Sequence, residues 1–201
     1  GNITYYMPFG ASSNTYLSFD YFRTQFAQQM VVDYEYGMNE IHFYALDGKR
    51  SYTDNYQVDF SVDPVERFNI TATFRYTDAR IELAGKGLVE KPMTSRFKGV
   101  LNLQYATNLN KWIFDFTASL NGSCRVYNFM ENLNEDGTMT TKPKEGVARL
   151  YKNGRTPVYP LLYAQITRRF KGWDVYVGAE NLTNYTQKYP IIGSDNPFQP
   201  S

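Results

Sequence analysis

The chain has 201 residues, enough for one domain of ordinary size, and its net charge of +1 gives no support for a nucleic-acid partner. Aromatic residues make up 17% of the chain, a composition that suits sheets, sugar-binding surfaces and membrane interfaces. No apolar run approaches the roughly 20 residues that a transmembrane helix needs. This excludes a helical span only, because a membrane strand needs about 9–11 residues of alternating polarity.

The N-terminal part of the chain predicts a first strand after an irregular start. Residues 1–13 contain Pro8 and Gly10 and are expected to form a loop or a frayed end. The first strand is predicted over about 14–24, where apolar and polar residues alternate. Residues 24–28 would then connect it to the second strand.

The second predicted strand begins near Gln29 and alternates as far as Ala45, although Gly37 and Asn39 could end it. We interpret it as one long strand with a bulge near Gly37. A hairpin turn is expected at 46–49, because its sequence contains the Asp-Gly dipeptide that is common in such turns.

The middle of the chain carries the clearest alternation. A third strand is predicted over 55–62 and a fourth over 68–77, joined by a turn at 63–67. A loop over 78–95 then leads to a fifth strand over 97–105.

The C-terminal half predicts three more strands. The sixth covers 112–121 and follows a turn at 108–111. A long polar segment at 123–159 precedes a seventh strand near 161–170. After a tight Lys-Gly turn, an eighth strand alternates over 173–179.

These eight strands predict an all-β, antiparallel up-and-down meander. Its connections alternate between short ones (24–28, 63–67, 108–111 and 171–172) and mostly long ones (46–52, 78–95 and 123–159). Short turns at one rim and long loops at the other are typical of outer-membrane barrels, where they are periplasmic and extracellular respectively. Splitting the second strand at Gly37 is expected to destroy this order.

The strands also predict an apolar face that something must cover. Strands three, four and six place these side chains on it: Tyr56, Val58, Phe60, Val62, Phe68, Ile70, Phe74, Tyr76, Trp112, Phe114, Phe116 and Leu120. At about 1.5–3 kcal/mol each, leaving them in water would forfeit roughly 20–35 kcal/mol. That exceeds the usual stability of a domain, about 5–15 kcal/mol. Lipid, a second sheet or the interior of a small closed barrel would each cover such a face.

The last predicted strand carries a short motif with a known counterpart. Trp173, Val175 and Val177 share one face of it, and the segment Glu180–Tyr185, Glu-Asn-Leu-Thr-Asn-Tyr, closes it. This combination resembles the penultimate barrel strands of TonB-dependent outer-membrane receptors. Other stretches resemble the same family: 20–24, 31–35, 42–49, 90–92 and 188–192. The resemblance covers nearly the whole chain and points to receptors of Bacteroidetes-type bacteria.

The resemblance implies a barrel of about 22 strands around an N-terminal plug, in the bacterial outer membrane. It implies energised uptake of a scarce solute, such as a siderophore, cobalamin or a glycan. The implied partners are outer-membrane lipid, the transported solute and the TonB energy-coupling complex, which acts through the plug.

Against that pattern, residues 1–201 are expected to be a single segment from the C-terminal part of the barrel. The plug and its TonB box are not in this sequence, and Gly1 is interpreted as a remnant of cloning. Residues 123–159 would be an extracellular-type loop, and residues 183–201 a loop before a final strand that this sequence does not contain.

No catalytic, cofactor-binding or metal-binding constellation is predicted, and the chain is not expected to be an enzyme. Cys124 has no His or Asp residues near it in the sequence, and His42 lies in an alternating strand. The acidic segment 131–137 fails the spacing of a calcium loop. Ligand contacts are expected from the long loops and the lumen face. The candidate ligand-binding residues are Arg125, Tyr127, Arg149, Tyr151 and Arg155.

An alternative is a complete, soluble, secreted small β-barrel or sandwich that binds a ligand and has lipocalin-like size. Alternation alone cannot choose between them, because it does not show which face is inside. If the chain is a piece of a barrel, its two edge strands are expected to promote self-association.

Overall fold

A computed structural model of the chain describes residues 1–11, 15–37, 40–126 and 154–186. These residues form nine strands and one short 3-10 helix at Asn108–Asn110. The strands are β1 (Asn2–Tyr6), β2 (Tyr16–Gly37), β3 (Glu40–Val65), β4 (Phe68–Leu83), β5 (Gly87–Glu90), β6 (Phe97–Ala106), β7 (Trp112–Asn121), β8 (Tyr159–Phe170) and β9 (Trp173–Ala179).

All nine described strands belong to one antiparallel sheet. Its order is β1-β2-β3-β4-β6-β7-β8-β9, so each strand on this path pairs with its neighbour in sequence. The short β5 lies off the path and folds back onto the end of β4. Within the described residues β1 and β9 each pair on one side only, so the sheet has two edges. The predicted all-β, antiparallel up-and-down meander is confirmed.

The C-terminal half of the sheet agrees closely with the sequence pattern. The predicted strands 112–121 and 173–179 coincide with β7 and β9, and 97–105 and 161–170 differ from β6 and β8 by one or two residues. Alternation between well-marked turns gave these boundaries, because one register places most of the large apolar residues on one face.

The N-terminal half differs, because β2 and β3 are much longer than predicted. The single strand expected across Gly37 is wrong: β2 ends at Gly37, β3 begins at Glu40, and these two residues pair with each other. The turns expected at 24–28 and 46–49 are also wrong, since both segments lie inside strands.

The misplaced turn signals mark an irregularity in the ladder. Phe26 pairs with Ser51 and Gln28 pairs with Asp47, so three residues of β3 face one residue of β2. The Asp-Gly dipeptide at 47–48 therefore lies at a bulge inside β3 and forms no turn. A single long hairpin keeps the ladder hydrogen bonds on both sides of this bulge, which outweighs the local preference for a turn.

Two further expectations need correction. Residues 1–13 are not all loop, because Asn2–Tyr6 pairs residue by residue with the start of β2. Residues 78–95 are not all loop either, because β4 continues to Leu83 and β5 pairs with it. The path through the sheet still has eight strands, since the three strands predicted over 14–62 form only two, β2 and β3, and β1 is added.

Loop lengths sort by rim only in part, because β2 and β3 are joined across 38–39 alone at one end of the sheet, and the longer connection 7–15 lies at the other end with the short turns. One end of the sheet, here called the short-turn rim, carries the connections 66–67, 107–111 and 171–172, with 7–15 beside them. The opposite end, the long-loop rim, carries 84–96 and 122–158. The expectation that a break at Gly37 would destroy this order was wrong, because 24–28 and 46–49 are not turns.

At the long-loop rim, β2, β3 and β4 continue well past the rest of the sheet. This extension comprises residues 22–37, 40–55 and 77–83. It contains the packed apolar cluster of the described residues, formed by Val31, Ile81 and Leu83 with Tyr44 and Val89 against them.

Candidate functional site

One face of the sheet carries mainly apolar side chains, and most of them are exposed. The exposed apolar band, as it is called below, comprises Ile3, Phe19, Val58, Phe74, Leu101, Tyr105, Phe114, Leu120, Ile166 and Val177. In-register pairing places them in cross-strand rows that run from β1 to β9. Val177 is 74% exposed and Phe74 is 48% exposed, so nothing in the described residues packs over this face.

This exposure bears on the soluble alternative. A soluble barrel or sandwich of this size needs its apolar face inside, as its core. Contiguous exposed apolar surface on this scale is instead the mark of a membrane or protein contact. The described residues therefore disfavour a soluble binder.

A row of aromatic side chains bounds the apolar band toward the long-loop rim. Tyr21, Tyr56, Tyr76 and Phe97 lie side by side on four strands. The rings of Tyr21 and Tyr56 are 5.0 Å apart between centroids, and those of Tyr56 and Tyr76 are 6.3 Å apart. Aromatic rows of this kind occupy the membrane–water interface, because the ring is apolar and the hydroxyl is polar.

A second aromatic row bounds the band toward the short-turn rim. It contains Phe68 together with Tyr105 and Phe114, which are the outermost members of the band on β6 and β7. The ring centroids of Tyr105 and Phe114 are 6.3 Å apart. Phe68 and Tyr76 are eight residues apart on β4, which is about 27 Å along the strand. A tilt of about 40° reduces this to about 20 Å along the membrane normal, close to the apolar height of about 25 Å in outer-membrane barrels.

Charged side chains begin immediately beyond the tyrosine row on the same face. Arg23 lies 3.6 Å from Asp54 and stacks over the ring of Tyr52 at 4.5 Å. On β4, Arg80 Nε lies 2.7 Å from the carboxylate of Asp78, two residues earlier on the same strand. The face thus changes from apolar to aromatic to charged along the strands, the order expected where a sheet leaves lipid for water.

The opposite face of the sheet is polar and hydrogen-bonded across strands. The Thr73 hydroxyl donates to Asp59 at 2.6 Å, and the Gln57 amide donates to the same carboxylate at 2.7 Å. Arg75 donates to the Gln57 oxygen through Nε and Nη2, at 2.9 and 2.6 Å. These bonds satisfy polar groups within β3 and between β3 and β4.

A second polar network continues this face on β6 and β7. The Asn102 amide donates to the Asp115 carboxylate at 3.0 Å and to the Thr117 hydroxyl at 2.9 Å. Such a surface can line water or a polar protein segment, because its groups are hydrogen-bonded yet still hydrated at their edges.

At the long-loop rim, a buried carboxylate ties two loops together. Glu90, at the end of β5, receives two hydrogen bonds from Arg155 at 2.8 and 2.9 Å. Arg96 donates to the same carboxylate at 2.6 and 3.1 Å. Arg125 Nη1 donates to the backbone oxygen of Glu90 at 3.1 Å. The loop between β4 and β6 is therefore held against both described ends of the loop between β7 and β8.

The electrostatics of this cluster favour the ionised carboxylate. Burial of Glu90 raises its pKa, but the hydrogen bonds and charges of Arg155 and Arg96 outweigh burial and lower the pKa to about 2. The same bonds raise the pKa of Arg155. Arg155 also donates through Nε to the Ser123 hydroxyl at 3.2 Å, so four of its five N–H groups have partners in the chain.

Two of the five predicted ligand-binding residues lie in the described part of the chain. Arg125 and Arg155 are brought together, since they form an isolated β-bridge. Their guanidinium groups bond to Glu90, so these contacts brace the loops. Tyr127, Arg149 and Tyr151 lie outside the described residues, and their role stays a prediction.

Sequence reasoning missed Glu90 and Arg96 as members of this cluster. Glu90 is 65 residues from Arg155 in the chain. No periodicity or spacing links residues so far apart, and the only local signal was that residues 90–92 took part in the family resemblance.

Cys124 and His42 also lie in the described part of the chain. Cys124 Sγ lies 3.2 Å from the Thr156 hydroxyl, and His42 pairs with Asp33 in the β2–β3 ladder. Among the described residues, no group of three or more His, Cys, Asp or Glu side chains has the geometry of a metal site. Nor does this part of the chain contain a helix long and apolar enough to cross a membrane.

Comparisons with known proteins agree with this geometry. No protein-family model matches the chain, and no curated protein matches it by sequence. Among solved structures, the chain is similar to the ferric citrate transporter FecA in its unliganded form, with a TM-score of 0.53 and 17% identity. The match covers 92% of this chain and 26% of FecA. The ferric preacinetobactin receptor BauA from Acinetobacter baumannii gives a TM-score of 0.48 and 13% identity over 85% of this chain and 23% of its own.

FecA is a TonB-dependent receptor, the family that the sequence motifs resemble. At this identity, the likeness to FecA concerns the fold alone: the described strands form an antiparallel meander similar to part of the FecA structure. It spans about a quarter of the length of FecA.

Proposed function

We propose that this chain is a segment of the membrane barrel of a TonB-dependent outer-membrane receptor. The observation that carries this proposal is the exposed apolar band between two aromatic rows. The height of the band fits a lipid bilayer. Charged pairs begin just beyond the aromatic row on the side of the long-loop rim. The similarity of fold to FecA supports the same conclusion.

The orientation and place in the barrel follow from the rims and the motif. The short-turn rim would face the periplasm and the long-loop rim the exterior. The Glu180–Tyr185 segment after β9 supports a position in the C-terminal part of the barrel, in a receptor of Bacteroidetes type. The polar face would then line the lumen and face the plug.

The proposed activity of the parent receptor is energised uptake of a scarce solute, such as a siderophore, cobalamin or a glycan. The TonB complex would act through the plug. This chain would contribute strands to the barrel wall and loops to its two rims. Solute contacts are proposed for the loop between β7 and β8, which contains Tyr127, Arg149 and Tyr151, while Glu90 holds the ends of that loop in place.

The edges of the sheet support a proposal about the isolated chain. Within the described residues, β1 and β9 each leave one side of their backbone without a strand partner. In a whole barrel, neighbouring strands would cover these edges. In isolation, we expect them to pair between copies, so that the chain self-associates.

The membrane assignment can be tested by single-tryptophan fluorescence. Leu101 and Val100 are neighbours at mid-height on β6, are 38% and 41% exposed, and point to opposite faces. We would place Leu101→Trp or Val100→Trp in a background in which Trp112 and Trp173 are replaced by Phe. The proteins would be refolded into vesicles of lipid brominated deep in the acyl chain.

The expected result is strong quenching of the tryptophan at 101 and weak quenching at 100. Flotation with the vesicles would establish that both variants bind. A chain that stays in the aqueous fraction, or one whose two tryptophans are quenched equally, would contradict the membrane assignment and return the soluble binder as the better interpretation.

A further inference from the structure

One cation lies on the otherwise apolar face near the short-turn rim. Arg168 is on the same face of β8 as Ile166 and Phe170, its neighbours along the strand. Across the sheet it pairs with Trp112 on one side and Val175 on the other. All four neighbours are exposed apolar side chains. A permanent charge in these surroundings needs an oppositely charged partner or water.

The guanidinium group of Arg168 is framed by aromatic rings. Its carbon lies 4.7 Å from the ring centroid of Trp112 and 5.3 Å from that of Phe170. Phe170 itself stacks on Trp173 at 4.2 Å. Two rings thus lie within cation–π distance of the guanidinium group, whose N–H groups are its means of hydrogen bonding to an anion.

Within the described part of the chain, no carboxylate forms an ion pair with Arg168. The next residue offers a contrast: Arg169 points to the opposite face and lies 3.3 Å from Asp174. The rim around them is basic. Lys111, Arg168, Arg169 and Lys171 supply four positive charges against one negative charge from Asp174. An anion approaching this part of the rim is therefore attracted.

We propose that Arg168, framed by Trp112 and Phe170, binds the phosphate group of a membrane lipid. The inference rests on the proposed function, since it requires the apolar band to lie in a bilayer. The aromatic row then places Arg168 at the height of the headgroups. Its planar fork can donate two parallel hydrogen bonds to phosphate oxygens.

Native mass spectrometry of the full chain in neutral detergent tests the site. The probes are dioleoylphosphatidylglycerol and dioleoylglycerol, which has the same acyl chains without the phosphate. We expect the chain to retain the phospholipid and not the diglyceride. Arg168→Gln should lower the retained phospholipid by about tenfold, the effect of losing one charge-assisted interaction.

Arg169→Gln is the matched control, because it removes the same charge one residue away on the opposite face. It should retain phospholipid as the unmodified chain does. Trp112→Leu keeps an apolar side chain but removes one ring, and we expect a several-fold loss. This variant still tests the site if Arg168→Gln does not fold.

The outcomes separate this inference from the proposed function. If the unmodified chain does not float with vesicles, the membrane assignment itself fails. If the chain floats, but Arg168→Gln and Arg169→Gln retain equal amounts of phospholipid, the proposed lipid site is wrong. The guanidinium group of Arg168 would then extend to water without binding a lipid phosphate. Inorganic phosphate at millimolar concentration should not displace the lipid. Full displacement would show a general anion site and overturn the lipid assignment.

Discussion

The apolar band and the extension use the same strands and treat apolar side chains in opposite ways. In the band, Phe74 is 48% exposed and Val177 is 74% exposed. In the extension, Val31 is 1% exposed and Leu83 is 3% exposed, packed in one cluster. The extension also exposes large apolar side chains, among them Phe22, Met30, Ile41 and Phe43, but it has a packed cluster and the band does not.

The difference indicates that the two regions face different solvents. Where lipid surrounds a sheet, apolar side chains gain nothing by packing inward, so they point outward and polar ones line the other face. Where water surrounds it, apolar side chains must cover one another. The change from one arrangement to the other falls at the tyrosine row, just where charged pairs begin.

The largest expected effect comes from placing a charge in the band. Leu101→Arg puts a cation at mid-height on the lipid side, and we expect it to destabilise the chain folded in vesicles by about 2–4 kcal/mol. Val100→Arg puts the same cation on the polar face and should change stability by less than about 1 kcal/mol. Urea titration in vesicles, followed by fluorescence, measures both free energies.

This pair is informative because the two positions are equally exposed aliphatic residues in adjacent places. If the whole sheet were in water, the two substitutions would have nearly the same small effect. Equal free energies of unfolding for the two variants would therefore show that the band faces water, as the extension does.

A somewhat smaller effect is expected from removing packing in the extension. Leu83→Ala leaves a cavity beside Val31 and Ile81, and we expect a loss of about 2–3 kcal/mol. Leu101→Ala in the band should lose less than about 1 kcal/mol, because lipid chains fill the space that the side chain leaves. The same urea titration compares them, and a larger loss at Leu101 would contradict the contrast.

Much of the architecture could be predicted from the sequence, for a definite reason. On β6 to β9 most large apolar residues alternate with polar ones between marked turns, so a single register places most of them on one face. On β2 and β3 the signals conflicted. Both Gly37 and the Asp-Gly dipeptide at 47–48 favour a turn locally, and only pairing along the whole hairpin decides between them.

The candidate sites were less accessible to sequence reasoning. Arg125 and Arg155 could be chosen as basic loop residues, but their partner Glu90 belongs to another loop. Arg168 was overlooked because a basic residue near a strand end is common. What distinguishes it is the set of apolar neighbours across the sheet, which depends on register.

The smallest expected effect is a pH dependence at the long-loop rim. Glu90 has a folded pKa of about 2, below its ordinary value of 4.5. Its ion pairs therefore contribute full stability above pH 4.5 and lose it progressively as the pH falls toward 2. We expect about 1–2 kcal/mol, because water partly screens the two guanidinium groups.

Cys124 reports on this loss, because its backbone bonds to the segment that Arg155 anchors. Its N–H donates to the Thr156 hydroxyl at 3.0 Å, and the Thr156 N–H donates to the Cys124 oxygen at 2.9 Å. Labelling by dithiodipyridine, which reacts with thiols in acid, should accelerate about five- to thirtyfold relative to a free thiol between pH 4.5 and 2. In Glu90→Gln, labelling should already be fast at pH 6 and change little on acidification, since no carboxylate remains to titrate. A pH-dependent rise of equal size in Glu90→Gln would show that other carboxylates open the rim, and that the cluster around Glu90 does not hold the loops.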